Sequence, residues 1–96
     1  MEENINIIKS VSASEREEII VDFARWLEVA AQEALIFGEG RFAMMSASMA
    51  EAMRVNADEL ARDNPDKAER LLQQASAMMA QFKSAYPYRV VSRAVH

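Results

Sequence analysis

Two glycines, Gly38 and Gly40, and two prolines, Pro65 and Pro87, are the only residues of those types in a chain of 96. Both types interrupt helices, glycine through backbone freedom and proline through its missing N–H. Between them run stretches dominated by alanine, methionine, leucine, glutamate and glutamine, all strong helix formers. The sequence therefore predicts an all-α chain with helices over about 15–37, 41–63 and 65–85. Short non-helical segments are expected at both ends, the second being the tail 86–96.

Apolar spacing supports each helix. Ser14-Glu15-Arg16-Glu17 fits a capping box, in which the serine hydroxyl accepts a backbone N–H and Glu17 reaches back. Behind it, Ile19, Ile20, Phe23, Leu27, Ala30, Ala31, Ala34 and Phe37 recur every three or four residues, with Trp26 and Leu35 at the margins. The second helix carries one stripe from Phe42 through Met45, Met49, Met53 and Ala57 to Leu60. Asn56 lies along that stripe, either setting register or sitting at its wet edge. The third helix presents Ala68, Leu71, Leu72, Ala75, Met78, Met79 and Phe82 on one face. Asn64-Pro65 is a helix cap followed by proline at the first helical position, so the second and third helices are expected to form an antiparallel hairpin. One three-helix bundle spanning 1–96 is the predicted architecture. The terminal "RVVSRAVH" suits a docking tail, an edge strand paired with "NINIIKSV", or a segment without fixed structure.

Chemistry is sparse. The single histidine is the last residue, His96, and cysteine is absent, which removes thiolate nucleophiles and thiolate metal sites together. Gly38-Glu39-Gly40 is too short to cradle a phosphate, and no helical Glu-x-x-His pair accompanies Glu18 and Asp22. No catalytic, cofactor-binding or metal-binding residue is assigned, and no enzyme is expected. The net charge of −4 disfavours a nucleic-acid backbone. The acidic N-terminus lacks signal-peptide character and no apolar run approaches the ~20 residues of a spanning helix, so a cytoplasmic chain outside the membrane is expected.

The apolar surface is more informative. A three-helix bundle needs one stripe per helix, yet the first helix offers about half its circumference together with Val29 and Ile36 on the far side. Met44 and Val55 likewise fall off the main stripe of the second helix. This surplus predicts a second buried contact, most simply a symmetric homodimer. The expected function is a small helical adaptor or regulator that binds another protein; a phage-type inhibitor of a larger host complex, a secretion chaperone and an assembly subunit all fit. The candidate binding residues are Trp26, Val29, Ile36, Met44, Val55, Tyr88 and Arg89. The alternative is a nucleic-acid-associated regulator using Arg89 and Arg93 beside Tyr86 and Tyr88, although two arginines neutralise few phosphates.

Overall fold

Local hydrogen bonds at Ser12, Gly38–Glu39 and Asn64 set most of the helix boundaries. A computed structural model describes residues 2–85, with side chains from 5 to 84, as α1 (Glu2–Ile7), α2 (Ala13–Ile36), α3 (Gly40–Asp63) and α4 (Pro65–Ala85). No strand occurs among the described residues. The three long helices coincide with the predicted ones to within two residues at each end.

Ser12 opens α2 from extended backbone, φ −66° and ψ 161°. Its hydroxyl accepts the Glu15 N–H at 3.1 Å and donates to the Glu15 carboxylate at 3.1 Å. The N-cap is thus Ser12, two residues ahead of the predicted Ser14. At the other end, Glu39 N–H bonds Ala34 O at 2.7 Å and Gly38 N–H bonds Leu35 O at 3.1 Å, the two bonds of a Schellman motif. Gly38 has φ +79°, which a side chain would strain, so the chain turns there. Asn64 alone joins α3 to α4: its N–H bonds Leu60 O at 3.3 Å, and its carbonyl accepts the Ala68 N–H at 3.0 Å. Phe42, near the start of α3, stacks on Phe82, near the end of α4, with centroids 4.2 Å apart, so the predicted antiparallel hairpin is present.

The N-terminal segment corrects the sequence reading. Residues 2–7, expected to be non-helical and a candidate strand, form α1. Six residues do not sustain a helix in water, so tertiary contacts must hold this one. Ile5 and Ile8 enter the same core cluster as Ile20, Phe23 and Leu72. Lys9, just beyond α1, pairs with Asp66 at 3.2 Å and Glu69 at 3.5 Å at the start of α4. The expectations for the tail 86–96 lie outside the described residues.

Arg16 fastens this corner. It is buried, and its guanidinium donates to Ile8 O at 2.6 Å, Val11 O at 2.9 Å, Lys9 O at 3.5 Å and Ala61 O. Ala61 O is one of the carbonyls left without an intrahelical partner at the end of α3, where the helix dipole favours a cation.

The closest helix approach is between α2 and α3. Ala24, Ala31 and Ala34 on one side and Ala43, Ala50, Ala57 and Ala61 on the other are all buried, and such small side chains let the backbones come together. The buried side of α3 is therefore turned about 60° from the methionine stripe towards α2. Met53 is core, Met49 is half-buried and Met45 is exposed. Asn56 is exposed and donates to Ala52 O of its own helix at 2.8 Å, which places it at the wet edge.

Ser46 sits among these alanines, completely buried, and its hydroxyl has no hydrogen-bond partner among the described residues. A buried unsatisfied hydroxyl is destabilising, and serine is a weaker helix former than alanine. Ser46→Ala is expected to raise the unfolding free energy by about 1 kcal/mol in urea denaturation.

Candidate protein-binding surface

Exposed apolar side chains gather around the α2–α3 turn. Leu35 is 65% exposed, Ile36 69%, Met44 71% and Met45 52%, all within a dozen residues centred on Gly38 and Gly40. Leu35 and Met44 stand on opposite banks of an open groove of about 520 Å³ between α2 and α3. Ala31, Ala43 and Ala47 line it, with Gln32 and Glu28 supplying polar groups. The alanine seam that draws the two helices together is what makes this groove shallow and its banks prominent.

Glu28 also carries the principal ion pair across these helices. Arg54 grips it with two parallel bonds, Nε at 2.8 Å and Nη2 at 2.7 Å. Arg54 thus reaches across to α2, while Arg62 pairs with Asp58 on its own helix at 2.6 Å. The hydrogen bonds from Arg54 hold the Glu28 carboxyl below the usual glutamate range. A depressed carboxyl contributes stability that is complete above its unfolded pKa of about 4.3 and lost as the pH falls through the lower folded value. Glu28→Gln is therefore expected to flatten part of the acid limb of a stability-against-pH curve and to leave its slope near neutrality unchanged.

The predicted binding residues do not form one patch. Trp26 is half-buried, edge-on to Phe23 at 6.1 Å, with the Lys83 ammonium 5.3 Å from its ring centroid, so it faces α4. Val29 and Val55 are 50% and 76% exposed. Two residues step about 200° round a helix, so Val29 stands nearly opposite Ala31 and Val55 nearly opposite Ala57. They occupy the two outer edges of the α2–α3 pair. Ile36 and Met44 flank the turn. Tyr88 and Arg89 lie outside the described residues. Leu35, read as a margin of the core, and Met45, read as core, are the exposed residues that the sequence pattern missed. Leu35 shares its azimuth with Glu28, three and four residues being steps along one face, and that polar company was the available signal.

No protein-family model, curated protein or solved structure matches the chain. Among the described residues no group of three or more acidic or histidine side chains is placed to hold a metal ion. No described helix is long and apolar enough to cross a membrane.

Proposed function

We propose that this chain is a non-enzymatic helical adaptor or regulator that binds another protein in the cytoplasm through the apolar end of its α2–α3 hairpin, and that it does so as a homodimer. The observation that carries the reading is the cluster of Leu35, Ile36 and Met44 around one turn, each more than three-fifths exposed, with Leu35 and Met44 on the banks of one groove. Isolated exposed apolar residues are ordinary, but several at one end of so small a fold form a patch that water disfavours and a partner would cover. The Schellman turn holds both banks on rigid helix ends, so little ordering entropy opposes binding.

The test uses Leu35→Lys with Ile36→Lys, charges that suit the C-terminal end of α2. Both positions are exposed, so the fold should hold within about 0.5 kcal/mol. Affinity capture from the native host with the unaltered chain is expected to retain a stoichiometric protein that the double variant loses, with unchanged circular dichroism. A partner retained equally by both forms would overturn the assignment to this face.

A further inference from the structure

The outer ridge of α3 carries a charge arrangement that the groove does not use. Arg41 and Glu59 are both exposed, and among the described residues neither has an ion-pair partner within the chain. They are eighteen residues apart, about five turns at 3.6 residues per turn, so they share one azimuth at a separation of about 27 Å. Buried Ala50 lies midway, nine residues from each, which is about two and a half turns. Arg41 and Glu59 therefore stand on the side of α3 turned away from the seam with α2. Met44 and Val55, the two most exposed large apolar side chains of the described residues, flank the same ridge at 71% and 76%.

Opposite charges equidistant from one midpoint are self-complementary under an antiparallel two-fold. We propose that the apolar ridge of α3 is covered by a second copy of this chain, docked antiparallel about a two-fold axis level with residue 50, so that Arg41 of each subunit meets Glu59 of the partner subunit. The same operation brings Met44 against Val55 of the partner subunit on one flank and Met45 beside the partner's Asn56 on the other. Ser48 and Ala52, on either side of the axis, are small enough to leave the helices room. Glu51 stands about 80° round from the ridge, at the rim. This inference rests on the homodimer in the proposed function and supplies its geometry; it uses α3 alone, takes Met44 from the far bank of the groove, and leaves Leu35 and Ile36 of α2 open to another protein.

Charge reversal tests it by sedimentation equilibrium at low and at high salt. The unaltered chain is expected to dimerise, more weakly as salt rises. Arg41→Glu and Glu59→Arg each turn two attractive pairs into repulsive ones, and each should raise the dimer dissociation constant roughly tenfold. Both place charges that suit the α3 dipole, acidic near the N-terminus and basic near the C-terminus, so the fold is not at risk. The double variant R41E/E59R should dimerise as the unaltered chain does. An equimolar mixture of the two single variants should also pair, because opposite charges then meet at both ends. A dimer indifferent to the single reversals, or one that neither the double variant nor the mixture restores, overturns the geometry while leaving self-association standing. A chain that stays monomeric overturns the inference and the homodimer together, and partner capture through Leu35 and Ile36 remains a separate result.

Discussion

Arg16→Met should lower the unfolding free energy by about 3 kcal/mol, a large share of the 5–10 kcal/mol expected for a fold of this size. The guanidinium bonds carbonyls from three places in the chain: Ile8 and Lys9 just beyond α1, Val11 before α2, and Ala61 near the end of α3. Methionine keeps much of the stem but leaves these carbonyls to find water or remain unpaired. Bonds to a charged donor contribute about 1.5–3 kcal/mol each, and relief from burying the cation offsets part of their loss. Arg16→Lys should recover less than half, because a compact ammonium does not spread its donors over carbonyls on several sides. Urea denaturation gives the free energies, and hydrogen exchange locates the damage. Protection should fall first in α1 and the last turn of α3. Loss spread evenly over all four helices would show that Arg16 does not act as the fastener of this corner.

This arginine also shows where sequence pattern runs out. Between Glu15 and Glu17, with Glu18 beyond, Arg16 reads as one more charge on a solvated turn. Its burial depends on carbonyls 5 to 45 residues away, which no local spacing encodes. The capping box failed for a related reason: Ser12–Glu15 and Ser14–Glu17 satisfy the same rule, and local chemistry does not choose between them. The choice of Ser12 places Arg16 on the first turns of α2, within reach of the loop carbonyls. The segment around α1 is equally context-dependent, since "NINII" has little intrinsic helicity and is held by Ile5, Ile8 and Lys9. By contrast, Gly38 and Asn64-Pro65 act through their own backbones, and the boundaries they set were legible. The surplus of apolar surface was legible too. Its division into a groove at the turn and two outer edges was not, because helical spacing gives azimuth on each helix but not the rotation of one helix against another.

That rotation is decided by the alanines. Ala50→Leu should cost about 3 kcal/mol, at the upper end for overpacking a well-filled interior. Ala50 is completely buried in the core that α2 and α3 share, so a larger side chain has no void to enter and must push the backbones apart. Such a separation would strain the Glu28–Arg54 pair at one level and the Ala61–Arg16 bond at another. The methionine stripe does not determine this contact, since Met45 is exposed and Met49 only half-buried. Ala47→Leu is the control: it makes the same chemical change on the same helix, at an exposed position lining the groove, and should leave stability within about 0.5 kcal/mol. Denaturation of the pair of variants checks the difference, and the near-ultraviolet signal of Trp26 should change for Ala50→Leu alone. Equal tolerance at both positions would mean that the α2–α3 seam is looser than its buried alanines imply, and that the groove between Leu35 and Met44 lacks a rigid floor.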